Sequence, residues 1–310
     1  MIKSTNILYI VAIMAFFCPY QIAGQNFKPG ESYREKNSYV EYMHGDLPLV
    51  ISVPHGGWDK PKNIPERKGR FAKNQDIYTI EIAYKIYKNI YKLTGHYPNI
   101  VINHLHRTRL DANRNIKEAA NGNKKAGEVW KAYHARIDSI EKVMEQKFGK
   151  GLFIDLHGHR HKIERIELGY LLSADELRLE EDMLNSDLLN EYCSIRNLLE
   201  SEKDSLSFTD LIRGEYSLGT ILHNRGQACV PNMHTKSPKV DEPYFRGGYN
   251  TTRHGSSSVG TIDGIQIEID LQTRSDKKRQ TKVAEDISYA LIKFISTHYF
   301  PNLGEFSMKL

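Results

Sequence analysis

Two histidines stand where a metal would need them. His55 follows the apolar run Leu49–Val53 and is trailed by Gly56 and Gly57, and His157 follows Leu152–Ile154 within Asp155-Leu156-His157-Gly158-His159. Short apolar runs of this kind read as buried strands, and a glycine beside a strand-end histidine lets backbone or ligand come close. Neutral imidazole is the commonest zinc ligand, and a catalytic zinc takes two or three protein nitrogens or oxygens plus water. Cysteine is not expected to share the task, because no Cys-x-x-Cys spacing occurs. Carboxylate is the natural third ligand, but none stands three residues after His55, where the chain has Trp58; Asp59 lies in a loop, and Asp76, at a helix start, reads on spacing as an N-cap.

Three further clusters carry chemistry. In Gly264-Ile265-Gln266-Ile267-Glu268-Ile269-Asp270 the isoleucines alternate with polar residues. This is either a half-exposed edge strand or a strand that aims Glu268 into a cleft as a general base. His106-Arg107-Thr108-Arg109-Leu110-Asp111-Ala112-Asn113-Arg114 packs three arginines into one stretch. It reads as a solvated loop or as a carboxylate-reading site, since a guanidinium matches a carboxylate with two parallel hydrogen bonds and can steady a developing oxyanion. The glycine- and aromatic-rich stretch from Tyr244 to Gly255, which holds Tyr249 and His254, reads as a cover over a site or as a well-made turn.

Strands are expected at Tyr39–Tyr42, Leu47–Val53, Asn99–Asn103, Gly151–Leu156 and Gly264–Asp270. Helices are expected from Ile77, with Asn74 or Asp76 as cap and Ile80, Tyr84, Tyr87 and Tyr91 recurring at helical spacing; over Ala126–Phe148, with Val129, Tyr133, Ile137, Ile140 and Met144 on the apolar face; over the acidic, Leu-rich Asp175–Leu199; and over Thr281–Tyr299. Strands alternating with helices predict an α/β fold with a mixed, mainly parallel central sheet flanked by helices, three layers in all. In such sheets ligands bind beyond the carboxyl ends of the strands, where the histidine, arginine and glutamate clusters fall.

The 310 residues suffice for a sizeable core, and 43 basic against 38 acidic residues give a formal charge of +5 with no long run of one sign. That argues against a nucleic-acid partner, while a mildly basic surface can attract a small anionic substrate. Lys3 and the apolar run Ile7–Phe17, closed by Ala23-Gly24-Gln25, read as a signal peptide over residues 1–24, with a catalytic domain over 25–310 that is secreted or periplasmic and makes no stable membrane insertion. The run is short for a membrane span, and Cys18 lacks the small neighbours of a lipidation site. Cys193 and Cys229 then remain, as a disulfide or as two buried thiols.

Taken together, Pro54-His55-Gly56-Gly57, Asp76, Arg107 with Asp111-Ala112-Asn113-Arg114, Asp155-Leu156-His157-Gly158-His159, Gly247-Gly248-Tyr249 with His254-Gly255, and Gln266-Ile267-Glu268 resemble the N-formylglutamate amidohydrolase family of zinc carboxypeptidase-like hydrolases, over roughly residues 52–271. The resemblance implies one zinc on His55, His157 and Asp76, with Glu268 as general base. It further implies that Arg107 polarises the scissile carbonyl, and that Asn113 and Arg114, with Arg109, Tyr249 and His254 nearby, bind a substrate carboxylate. The implied substrate is a carboxylate-bearing N-acyl amino acid or short peptide. A secreted metallo-carboxypeptidase or cell-wall amidase, and a non-catalytic binding protein on the same fold, are the rival readings.

Overall fold

The computed structural model describes residues 27–34, 39–202, 205–256 and 260–301. The segment read as a signal peptide lies outside the described residues. Eight strands form one sheet: β1 (Ser32–Arg34), β2 (Val40–Met43), β3 (Leu49–Val53), β4 (Asn99–Asn103), β5 (Gly151–His159), β6 (Ile166–Gly169), β7 (Cys229–Val230) and β8 (Ile262–Asp270), in the spatial order β1-β2-β4-β3-β5-β8-β6-β7. The central strands β4, β3, β5 and β8 run parallel, while β1, β2 and β6 join antiparallel to their inner neighbours. The sheet is thus mixed and mainly parallel, as expected.

Side chains alternate along each strand, and the alternation sorts the two faces. Ile51, Val53, Ile100, Ile102, Ile154, Leu156, Ile265, Ile267 and Ile269 all belong to one apolar cluster. That cluster is closed by α1 (Thr79–Thr94) through Ile82, Ile86 and Ile90, and by the C-terminal helix Lys277–Phe294 through Val283, Ile287 and Leu291. On the other face Val50, Val101, Phe153 and Ile262 pack against Tyr133, Ile137, Ile140 and Met144 of the helix Lys124–Phe148. The same face carries Ser52, Asp155, His157, Gln266 and Glu268 toward the carboxyl ends, all buried. Slipping β8 by one residue would turn Glu268 into the isoleucine core.

Several expectations are refined. β8 is no edge strand, since it lies between β5 and β6 and every residue in it is buried. The first helix begins at Thr79 and buries Ile80, Ile82, Ile86, Tyr87 and Ile90; Tyr84 is only partly buried with its hydroxyl bonded to Glu41 Oε2, Tyr87 donates its hydroxyl to His44 O, and Tyr91 is 45% exposed. Asp175–Leu199 is not one helix but the short turns Ala174–Leu177, Glu181–Leu184 and Asp187–Asn190, followed by the start of Arg196–Glu202. Ser173 caps the first turn with Glu176 in a reciprocal capping box, so local side-chain bonds compete with a continuous helix. Cys193 and Cys229 are both free and buried. Among the described residues, no helix is long and apolar enough to cross a membrane.

Candidate metal centre and its cleft

β3 ends at Val53, and Pro54 turns the chain so that His55 stands over the sheet beside β5. His157 is on β5, in register with Glu268 on β8. Asp76 precedes α1 but does not cap it with its side chain. Its backbone carbonyl accepts from Thr79 N at 3.3 Å and Thr79 Oγ1 at 2.8 Å, which frees the carboxylate to turn to the histidines. His55 Nδ1 and His157 Nδ1 lie 3.1 Å apart, and Asp76 Oδ2 is 3.3 Å from the first and 3.1 Å from the second. The family-implied ligands therefore converge on one point.

The outer ring nitrogens are held by carboxylates. His55 Nε2 donates to Asp111 Oδ1 at 2.6 Å, and His157 Nε2 to Asp155 Oδ2 at 2.8 Å. With a proton on Nε2, an imidazole that is otherwise neutral presents a lone pair at Nδ1. Three atoms able to offer a lone pair then face one another inside a buried site, an arrangement that positive charge between them, from a ring proton or a metal ion, would stabilise. Burial works against charge on Asp76, yet its bonds to His157 and His55 outweigh burial and hold its pKa well below the usual carboxylate range. Burial likewise opposes a proton on His157, but Asp155 and Asp76 override it and push that pKa well above the imidazole value. Two imidazoles and one carboxylate, each imidazole backed by a further carboxylate, form a donor set suited to a metal ion. His55, Asp76 and His157 thus fit a metal ion.

The backing carboxylates are themselves fixed. Asp111 Oδ2 accepts from Arg107 Nε at 3.0 Å and lies 3.5 Å from the buried Arg67. Burial opposes its charge, but His55, Arg107 and Arg67 hold its pKa far below normal. Asp155 Oδ1 accepts from Ser52 Oγ at 2.5 Å and from Asn250 Nδ2 at 3.2 Å. Arg274, fully buried, donates from Nε to Ile269 O at 2.9 Å, from Nη2 to His159 O at 3.0 Å and from Nη1 to Ile77 O, clamping the ends of β8 and β5 to the turn that carries Asp76. Gly158 leaves room for that guanidinium, since a Cβ there would come within 2.2 Å of it.

A cavity of about 360 Å³ opens over the centre, with Arg107, Asn113, Arg114, Arg160, His161, Phe245 and Glu268 in its walls. Glu268 is 5% exposed, and its Oε1 accepts from Gln266 Nε2 at 2.9 Å. Burial, reinforced by Asp76, Glu167 and Asp155, pushes its pKa up to about 8. Arg107 also donates to Asn74 O at 3.4 Å and comes within 3.9 Å of Asp76. Asn113 Oδ1 accepts from Asn250 N at 2.8 Å. Gly248 packs on the same amide, leaving no space for a Cβ, which would sit 2.7 Å from Asn113 Nδ2.

Three sequence candidates lie outside the lining of this cavity. Arg109 turns to Ile64 O at 3.1 Å and to Glu66 at 3.7 Å. Tyr249 packs near Trp130 and His134. His254 points into the helix Lys124–Phe148, its Nε2 2.9 Å from His134 Nδ1 and its Nδ1 3.1 Å from Glu141 Oε2. Burial depresses the pKa of His134 to about 2, and its Nε2 donates to Ala112 O at 3.1 Å, bracing the backbone between Asp111 and Asn113. Sequence reasoning missed Ser52, Arg67, His134, Asn250 and Arg274, all of which act on the site through contacts distant in sequence.

The sequence matches no protein-family model and no curated protein. Solved structures do match. N-formylglutamate amidohydrolase from Ralstonia eutropha JMP134 superposes with a TM-score of 0.52 at 12% identity, covering 84% of this chain and 98% of that one. The chain has the fold of that amidohydrolase. A gene product of Agrobacterium tumefaciens follows at a TM-score of 0.46 and 11% identity, over 84% of this chain and 96% of that one. The catalytic domain of an N-acetylmuramoyl-L-alanine amidase from Bacillus (Paenibacillus) polymyxa gives 0.34 and 13%, over 80% and 96%. The α/β architecture expected from the amidohydrolase resemblance is thereby borne out, and it places the buried His55–Asp76–His157 group at the carboxyl ends of the parallel strands.

Proposed function

We propose that the protein is a zinc-dependent amidohydrolase that cleaves N-acyl amino acids in the manner of N-formylglutamate amidohydrolase. The reading rests on one observation above the others: His55 Nδ1, His157 Nδ1 and Asp76 Oδ2 converge within 3.3 Å of one another, beside a buried glutamate in the same cleft. A zinc ion held by those three residues would supply Lewis acidity toward water and the scissile carbonyl. The charge of that cation would bring down the raised pKa of Glu268, and the ionised carboxylate takes the proton of the attacking water and returns it to the leaving amine, so that one water and one amide give a carboxylic acid and an amine. Arg107, anchored by Asp111, offers its charge to the oxygen of the carbonyl as negative charge develops there. Asn113 and Arg114 hold the carboxylate of the amino-acid portion. Arg114 suits that part because its side chain makes one described hydrogen bond, to Asn113 O at 3.2 Å, which leaves donors for a ligand.

The leader over residues 1–24 supports a further proposal, that the enzyme works outside the cytoplasm; a mature terminus near Gln25 in the exported fraction is the expected result, and an intact Met1 on soluble cytosolic protein would refute it. The activity is tested by metal analysis of the purified protein together with hydrolysis of a panel of N-acyl amino acids and short peptides. About one zinc per chain and release of free amino acid from the N-acyl compounds are expected. A metal-free, inactive protein would leave only a binding protein on this fold. Faster cleavage of peptides than of N-acyl amino acids would favour the peptidase or amidase reading.

A further inference from the structure

Phe245 is the one large apolar side chain among the described residues that line the cleft; its other lining residues are charged, polar, glycine or alanine. It is 42% exposed, yet it is not loosely held. Its ring stacks on that of His161 with centroids 4.7 Å apart and planes 11° from parallel. One buried carboxylate fixes both partners: Glu167 Oε2 accepts from Phe245 N at 2.8 Å, and Glu167 Oε1 lies 3.0 Å from His161 Nδ1. The adjoining backbone is tied down as well, by Tyr244 Oη donating to Leu168 O and by Leu171 N donating to Arg246 O at 2.6 Å. The outcome is a rigid aromatic ledge in an otherwise polar cavity.

Strand order says which part of a substrate would lie on it. Across the sheet, β4 leads into the segment holding Asn113 and Arg114, β3 and β5 carry His55 and His157, β8 carries Glu268, and β6 carries Glu167 beneath the ledge. The segment that leads to the carboxylate-reading arginine and the aromatic ledge therefore reach the reacting centre from strands on different sides of β3, β5 and β8. We propose that Phe245, seated on His161, is the acyl-specificity residue of the site and selects substrates whose N-acyl group carries a flat aromatic ring. This inference rests on the hydrolase reading for the placement of the two substrate halves. A ring laid on an aromatic face combines apolar burial with the stacking preference of aromatic pairs, whereas a formyl or acetyl group covers little of the ledge.

The test uses the full mature protein with its metal and reads binding before turnover. Phenylacetate and acetate, the acids released from an arylacyl and a small acyl substrate, are titrated into wild type, Phe245→Ala and Phe245→Leu. Wild type should bind phenylacetate about tenfold or more tighter than acetate. Phe245→Ala should erase the preference, and Phe245→Leu, which keeps apolar area but not a flat face, should retain only part of it. Equal binding of the two acids by wild type, or a preference that survives in Phe245→Ala, overturns the proposal. The N-phenylacetyl and N-acetyl derivatives of one amino acid are then compared as substrates. A Phe245-dependent ring preference in binding with no hydrolysis of either derivative would uphold the ledge and sink the hydrolase reading; hydrolysis of both without ring preference would do the reverse.

Discussion

His55 and His157 face each other through their Nδ1 atoms at 3.1 Å, while each turns its Nε2 away to a buried aspartate. Asp111 and Asp155 thereby hold both rings in place from behind, the arrangement that outer carboxylates give to metal-binding imidazoles.

Replacing His55 or His157 by alanine should abolish stoichiometric metal binding. Asp155→Asn should keep the fold and the ion but lower metal affinity by about tenfold to a hundredfold, the usual consequence of losing an outer partner. Competition with a chromophoric chelator measures both effects. Full metal retention in both histidine variants would remove the assignment.

Arg114→Ala should raise KM for substrates with a free carboxylate far more than it lowers kcat. Truncating one member of a charge-assisted pair costs about 2–5 kcal/mol when the other charge is left buried and unpaired, and the exposed Arg114 should fall toward the lower end. The matching ester, which has no such charge, should bind poorly to wild type and lose little more. An equal loss on acid and ester would show that Arg114 does not read the carboxylate.

Much of this site was visible in the chain because strands declare their faces. The alternation of Ile265, Ile267 and Ile269 with Gln266 and Glu268, and the placement of His55 and His157 after apolar runs, follow from period-two geometry alone. What stayed hidden depends on contacts between distant segments. Asp76 looked like a helix cap, and only the approach of two histidines from β3 and β5 shows where its carboxylate turns. Arg274 gives no local sign that it will bind three carbonyls at the ends of β8, β5 and the Asp76 turn. His254 sits in a loop-like sequence, but a short helix, Tyr249–His254, carries it inward against His134 rather than toward substrate.

At the far end of β8, burial raises the Asp263 carboxyl to about pKa 7, while Tyr299 Oη and Asn197 N donate to it at 2.9 and 3.1 Å. The folded chain therefore keeps a proton that the unfolded chain releases near pH 4. The associated stability is complete below about pH 4 and is lost as pH rises through 7. Asp263→Asn cannot ionise, so its urea midpoint should fall less than that of wild type between pH 5 and pH 8. Parallel pH curves for the two proteins would refute the assignment.

Glu268→Gln separates an enzyme from a binding protein and a base from a ligand. The carboxyl is in register with His157, faces the cleft and accepts from Gln266, a contact that the amide oxygen of glutamine can keep. The substitution preserves size and hydrogen-bonding shape but removes the capacity to take a proton from water. General base catalysis is worth about 10²–10⁴-fold, so kcat should fall by about a hundredfold or more. KM and metal content should change little, because the lost interaction belongs to the transition state. Loss of metal together with activity would make Glu268 a ligand and return Asp76 to a structural role. Activity within a few-fold of wild type would mean that another group carries the proton, and the mechanism proposed for this cleft would fall.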